Sequence, residues 1–229
     1  PLYVPDRPTT LKRRLVDKVF KHKLFEVIEI DDSPLGDDQT NQLIEKIDNY
    51  HDYDLIVVAD FGHGLLDKKL VNHITSKDTF LSVNAQTNSA NKGYNFIIKY
   101  DKCDFFSIDK QEAKLAVHDK YANMNLVLDE LLDNTKAESA AITLGVEGCL
   151  VGSKEVKETA PVLSDQVVDT IGAGDAFLSI TSLLVKAGMP EKQVAFVGNA
   201  VGSMAVKIIG NKTFIEKVPL LKYVKTLLS

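Results

Sequence analysis

The stretch VVDTIGAGDAFLSI, Val167 to Ile180, sets Gly172, Ala173 and Gly174 directly before Asp175 and a run of apolar residues at helical spacing. Small side chains let backbone N–H groups approach a ligand closely. A helix start adds unpaired donors and the positive end of a dipole, which together suit an anion. Asp175 falls in the first turn, where that dipole favours its ionised form. A carboxylate beside an anion site is equipped to take a proton from an attacking hydroxyl. The N–H groups meanwhile receive charge from a transferring phosphoryl group. The same residues also make an ordinary turn and helix start. Neither G-x-G-x-x-G nor G-x-x-x-x-G-K-[ST] occurs here, so the rest of the chain has to decide between the two.

The elements that would position this loop are legible from periodicity. LFEVIEI (Leu24 to Ile30), DLIVVAD (Asp54 to Asp60), TFLSVN (Thr79 to Asn84), DFFSI (Asp104 to Ile108) and SAAITL (Ser139 to Leu144) have strand length, and several are apolar throughout. Such runs suit strands covered on both faces. Between them DQTNQLIEKIDNY, LLDKKLVNHIT, KQEAKLAV and NLVLDELLDN return an apolar residue every three or four positions. The alternation implies βαβ units and a mainly parallel sheet between helix layers, an α/β fold in a single domain. After Val167 the pattern is helical: AGDAFLSITSLLVKAG, EKQVAFVGNAVGSMAVKI and IEKVPLLKYVKTLL. Ligands in such sheets bind at the edge where strands end, so residues just past strand ends carry extra weight.

Composition narrows the classes. A net charge of −5 argues against general nucleic-acid affinity, although LKRR (Leu11 to Arg14) leaves room for a small anion. Cys103 and Cys149 are too few for a disulfide framework or a zinc site and point to a reducing, cytoplasmic setting. No apolar stretch reaches the roughly 18 residues of a membrane span. The start, PLYVPDRPTT, has neither signal-peptide order nor an initiating Met, so residue 1 is expected not to be the natural start.

DTIGAGDAF resembles the C-terminal signature of the ribokinase-like, or PfkB, carbohydrate kinases. AITLGVEGCLV (Ala141 to Val151) is similar to that family's strand–turn–strand beside the nucleotide, and FVGNAVGSMAVKIIG (Phe196 to Gly210) to its late helix near adenine. DLIVVADFGHGLLD and PTTLKRRLVD, with KLFEVIEIDDSPL, resemble the heptose-phosphate kinase branch and its relatives fused to nucleotidyltransferases. The resemblance implies a three-layer α/β/α ribokinase-like fold and phosphoryl transfer from ATP to a hydroxyl of a sugar or sugar phosphate, with a heptose phosphate as one acceptor. Asp175 would be the base, with Gly172, Ala173 and Gly174 forming the anion hole. Thr143, Gly145 and Gly148 would lie at the nucleotide, or the glycines would simply serve a hairpin; Asn199 would lie near adenine or equally be a packing polar group. Asp169 would hold a monovalent cation such as K⁺ behind the loop.

Asp60 ends its strand at the ligand edge, which suits a carboxylate bonding a sugar hydroxyl or one capping the following turn, and Asn84 is a substrate candidate from the amide-rich segment that departs from the family. Glu112 and Asp109 would hold Mg²⁺ through water. No role falls to His63. Arg13 and Arg14 suit a sugar phosphate, or simply an exposed basic strand.

Three departures stand beside the match. The family's N-terminal portion, with its sugar-binding segment, lid strands and most dimer contacts, is expected to be absent, making residues 1–229 the C-terminal part of such a domain. Asp109, Lys110, Gln111 and Glu112 stand where the family has Asn-x-x-Glu, after Ile108 in place of Pro. VNAQTNSANKGYN (Val83 to Asn95) replaces Asp-Pro-Lys with amides, which would either contact sugar hydroxyls or order a polar loop. A binding-only scaffold is therefore the alternative to a kinase, and a hydroxymethylpyrimidine-type kinase a third reading. A neighbouring nucleotidyltransferase domain and a homodimer are the expected partners.

Overall fold

The computed structural model describes residues 2–5, 7–18, 23–164 and 166–229. Its main sheet has six strands in the order β3-β4-β5-β6-β7-β8: β3 Leu55–Asp60, β4 Phe80–Ala85, β5 Phe105–Asp109, β6 Ser139–Thr143, β7 Cys149–Gly152 and β8 Lys157–Ala160. The pairs from β3 to β6 are parallel, and β7 and β8 add antiparallel strands at one side. Helices cover both faces. α1 (Asp37–Asp48), α2 (Lys68–Thr75), α3 (Lys110–Ala116) and α4 (Met124–Thr135) share one core, and α5 (Ala173–Lys186) and α6 (Glu191–Ala205) share the other. α7 (Lys217–Leu227) packs on α6 through Leu220.

The alternation along each strand explains the two cores. In β5, Phe105 enters the α5–α6 core while Phe106 and Ile108 enter the opposite one. Burying either phenylalanine stabilises the fold by about 1.5–3 kcal/mol relative to exposure. In β4, Leu81, Val83 and Ala85 face α1–α4. Ser82 faces α5 and shares a 2.6 Å hydrogen bond with Ser182. That parity carries Asn84, and Gln86 just beyond the strand, to the α5 face.

One expected member of the alternation lies elsewhere. LFEVIEI forms β2 (Lys23–Glu29), which pairs antiparallel only with β1 (Leu11–Val16) in a ribbon outside the main sheet. No helix layer covers it, and Leu24, Phe25 and Val27 are exposed. Within the ribbon Arg14 pairs with Glu26 at 2.6 Å, so that guanidinium is engaged across the strands. Arg7 ties the base of the ribbon down, donating to the carbonyls of Asp31, Ser33 and His63.

Candidate functional site

Asp60, Ala85, Asp109 and Thr143 end the four parallel strands at one edge, Asp60 opposite Ala85 and Asp109 opposite Thr143. The loop before α5 comes to this edge and is held in place by backbone bonds. Val168 and Asp169 donate their N–H groups to the Val206 carbonyl at 2.8 and 3.0 Å. The Asp169 carboxylate accepts from Ile171 N and Gly210 N at 3.0 and 2.9 Å. Gly172, the N-cap of α5, has φ of 80°, a left-handed conformation that a side chain would strain. Ala173 N turns back to Thr170 O at 3.2 Å. The N–H groups of Gly174 and Asp175 meet no acceptor among the described residues. Gly174 is exposed, and the space a Cβ would occupy there is open. Two unpaired donors at a helix start with clear approach are the elements of an anion site.

Asp175 is half-buried, and its Oδ1 accepts a hydrogen bond from Gln86 Nε2 at 3.0 Å. Burial raises its pKa above the ordinary carboxylate value, and the Gln86 bond works against that rise. Glu112 lies within electrostatic range of Asp175. Its Oε1 accepts from Thr87 N at 2.9 Å, and its Oε2 accepts from Asp109 N at 2.8 Å. Asp109 Oδ1 returns a bond from Glu112 N at 2.8 Å, completing a capping box at the start of α3. Burial first, then the Asp109 charge, push Glu112 up to about 7.

The residues anticipated from the sequence converge on this edge in different states. Asp60 is only 3% exposed. It accepts from Gly62 N at 2.9 Å and Tyr100 Oη at 2.8 Å and pairs with Lys99 Nζ. The fold thus already engages and covers the carboxylate expected either to meet a sugar hydroxyl or to cap the following turn, and the Gly62 bond is of the second kind. Asn84 donates its amide to Ser107 O at 2.7 Å, while its Oδ1 is buried with no partner among the described residues. Thr143 ends β6 half-buried. Gly145 and Gly148 flank the turn into β7. A Cβ at Gly148 would stand 1.9 Å from Ala160 O, so that glycine serves the close approach of β8. Asn199 likewise uses its amide internally, donating to Ala160 O and Pro161 O at 2.7 and 3.0 Å. Both bonds use its NH₂ group for packing against the end of β8.

The same bonds bear on the ions the sequence suggested. No group of three or more His, Cys, Asp or Glu side chains among the described residues is arranged around a metal position. Both oxygens of Glu112 already accept backbone N–H bonds. Exposed Asp109 keeps one oxygen outside the capping box and fits a hydrated ion. The acceptor bonds of Asp169 leave further lone pairs on each oxygen.

Sequence reasoning missed Gln86 as a partner of Asp175, and it missed Lys99 and Tyr100 as partners of Asp60. Gln86 carried a weak signal, two positions beyond Asn84 on the same strand face. The amide-rich segment proves to be an ordered polar loop. Asn88 and Asn91 donate to Phe61 O, and Asn91 and Asn95 to Gln86 O. Next to it lies a cavity of about 300 Å³, between the ribbon base and the end of β3, lined by Arg7, Thr10, Asp60, Phe61 and His63 among others. His63 Nε2 is buried there without a partner among the described residues, and burial with nearby Lys12 holds the ring below its ordinary pKa. No helix among the described residues is long and apolar enough to cross a membrane.

Comparison with known proteins adds the following. Residues 11–217 match the pfkB family carbohydrate kinase domain. The bifunctional protein HldE of Wolinella succinogenes is 24% identical over 212 residues, covering 90% of this chain and 43% of that protein. The chain thus spans less than half the length of that curated relative. Phosphofructokinase-2 from Escherichia coli, in a complex with potassium, superposes with a TM-score of 0.78 at 14% identity, covering 97% of this chain and 72% of its own. Ribokinase from Arabidopsis thaliana, complexed with ribose and ATP, gives 0.71 at 14% identity, covering 96% and 70%.

Proposed function

This chain belongs to the pfkB family of carbohydrate kinases, and from that premise we propose that it transfers the terminal phosphoryl group of ATP to a hydroxyl of a sugar or sugar phosphate. One observation carries the reading: a half-buried carboxylate, Asp175, stands beside the unpaired N–H groups at the start of α5. In the proposed step Asp175 takes the proton of the acceptor hydroxyl as its oxygen bonds to the terminal phosphorus. The bond from phosphorus to the bridging oxygen breaks, and ADP leaves with that electron pair. The N–H groups of Gly174 and Asp175 receive the charge on the non-bridging oxygens, with Gly172 and Ala173 shaping the turn that presents them. The cavity lined by Arg7, Phe61 and His63 is assigned to the acceptor, with Asn84 holding the strand end beside it through Ser107 O. Asp60 is assigned to shaping its wall.

Thr143, Gly145 and Gly148 are assigned to the nucleotide side, with Asn199 supporting β8 behind them. Mg²⁺ would be held through water by Asp109, with Glu112 behind it, and would neutralise phosphate charge. A monovalent cation would rest on the lone pairs of Asp169 that Ile171 and Gly210 leave unused. The reading treats residues 1–229 as one part of a longer kinase domain. A heptose phosphate is the first acceptor to test. A neighbouring nucleotidyltransferase domain is the matching partner, and self-association would cover the exposed apolar ribbon.

The competing reading, a binding-only relative, draws on the capping box, which occupies Glu112 fully and Asp109 in part. The test is incubation with ATP, Mg²⁺ and a panel of sugars, sugar phosphates and hydroxymethylpyrimidine, followed by mass detection of a phosphorylated acceptor. Transfer to a sugar-type acceptor supports the proposal. Nucleotide binding without transfer, or transfer to the pyrimidine alone, overturns it.

A further inference from the structure

Gln86 joins the two halves of the site through bonds that no sequence pattern announced. Its main chain is fixed from three directions. Gln86 N donates to Asp60 O at 2.8 Å, and Gln86 O accepts from Asn91 Nδ2 at 2.7 Å and from Asn95 Nδ2 at 3.3 Å. Those partners are themselves ordered. Asn91 also donates to Phe61 O, and Asn95 donates to Asp60 O at 2.9 Å. Asp60 in turn is held by Tyr100 and Lys99. From this fixed backbone the side chain reaches across to α5 and donates to Asp175 Oδ1. A long, flexible side chain rarely holds one geometry unless its root is fixed, because ordering its rotamers costs entropy. Here the root is fixed before the side chain is used.

We infer that Gln86 is the positioning residue for Asp175: it orients the carboxylate and keeps its charge, leaving the second oxygen for the acceptor hydroxyl. The inference rests on the proposed reaction for its catalytic meaning, but the contact itself does not. A carboxylate sinking into protein drifts toward its neutral form, and an N–H donor stabilises the charged one. The other titratable group brought into range of Asp175 among the described residues is Glu112 on α3, and a charge on either carboxylate disfavours one on the other. Glu112 is held by Thr87 N and Asp109 N, so Gln86 is the side chain left to hold Asp175. Because Asn88, Asn91 and Asn95 also donate to the carbonyls of Phe61 and Asp60, which line the proposed acceptor cavity, the clamp ties the base to that cavity through the backbone.

The test uses the whole chain and two substitutions of similar length. Gln86→Met keeps the reach and removes the donor; Gln86→Lys keeps an N–H donor. With an acceptor found active, Gln86→Met is expected to lower kcat on the order of tenfold or more, the worth of a charge-assisted hydrogen bond. KM for ATP and acceptor should stay within about twofold. Gln86→Lys should recover most of that loss. A role only in stability would move the melting temperature of both variants and leave kcat of the folded enzyme intact. Unchanged kcat in Gln86→Met overturns the inference, as does equal loss in Gln86→Lys.

A second measurement needs no activity. The side-chain amide of Gln86, followed by ¹H–¹⁵N NMR, should shift and exchange faster with water in Asp175→Ala than in the parent. An amide unaffected by Asp175→Ala sinks the inference even if the chain is an active kinase. A clear change in a parent that phosphorylates nothing would support the clamp and reject the proposed reaction.

Discussion

Asp175→Asn separates chemistry from architecture, because asparagine has the same shape. Its Oδ1 can still accept the bond that Gln86 Nε2 now gives at 3.0 Å, and the N–H groups of Gly174 and residue 175 are untouched. Nucleotide affinity should therefore stay within about threefold, since the anion contacts are backbone ones. Stability should change by less than about 1 kcal/mol from two opposing effects. Losing a negative charge at a helix start costs about 0.3–1 kcal/mol. Burial disfavours the ionised carboxylate, which offsets this. Proton abstraction is lost outright, which predicts a fall in turnover of about 10²–10⁴-fold. In barrier terms that is about 3 to 5 kcal/mol.

The assay is steady-state ADP release with mass detection of product, beside calorimetric nucleotide binding and thermal melting of both proteins. The parent's kcat/KM should lose activity at low pH along a limb lying above the ordinary carboxylate value of 3.8, because burial raises the Asp175 pKa. Asparagine should lack that limb. A folded, nucleotide-binding Asn variant that turns over within a few-fold of the parent would remove Asp175 from the role of base.

The remaining predictions concern the frame around that residue. Lys99→Met strips one partner from a carboxylate only 3% exposed and should cost about 3 kcal/mol, and Tyr100→Phe about 2 kcal/mol, by urea unfolding. Unchanged midpoints in both would mean that water reaches Asp60 freely. Gly148→Ala would place a Cβ 1.9 Å from Ala160 O at φ of 98°, so a loss above about 3 kcal/mol is expected. Gly145→Ala, at φ of 63° in open space, should cost only about 1 kcal/mol; equal costs would refute the close approach of β8. For Glu112 the folded state holds a proton up to about 7 against an ordinary 4.5. Its contribution therefore favours folding below about 4.5 and is lost as pH rises through about 7. Glu112→Gln does not titrate there. The stability difference, parent minus variant, should shrink across that window by up to about 1.4 kcal/mol per pH unit. A flat difference from pH 4 to 8 would contradict burial as the cause.

The parallel sheet was legible because β3 to β6 are short apolar runs separated by segments of helical period, and a strand covered on both faces has few other ways to be written. β2 misled for the same reason. LFEVIEI has strand composition, and nothing in a single strand says which sheet will accept it. The α5 loop was legible because three small residues before an acid restrict what the backbone can do. Partners were not. Lys99 and Tyr100 lie about forty residues beyond Asp60, and nothing near them marks a buried carboxylate. Asn199 was marked by its resemblance to a residue near adenine, while an amide on a helix can equally find its partners in packing. Those partners are carbonyls at the end of β8, supplied by tertiary packing.

The charge arrangement at the strand edge bears on the choice between a kinase and a binding-only relative. Asp109, Glu112 and Asp175 gather where a polyphosphate is proposed to lie, which by itself would repel it. The fold treats the three differently. Glu112 receives two backbone N–H bonds and is pushed to about 7, so at neutral pH it carries only part of a charge. Asp175 is half-buried and answered by Gln86. Asp109 alone is exposed, with one oxygen outside the capping box. A hydrated divalent cation needs little more than such a foothold, since it dehydrates reluctantly and takes most of its remaining contacts from phosphate. In the proposed reaction a clamped carboxylate beside two unpaired N–H donors has a use that nucleotide binding alone does not require. That pairing suits a proton leaving a hydroxyl as charge grows on a phosphoryl group.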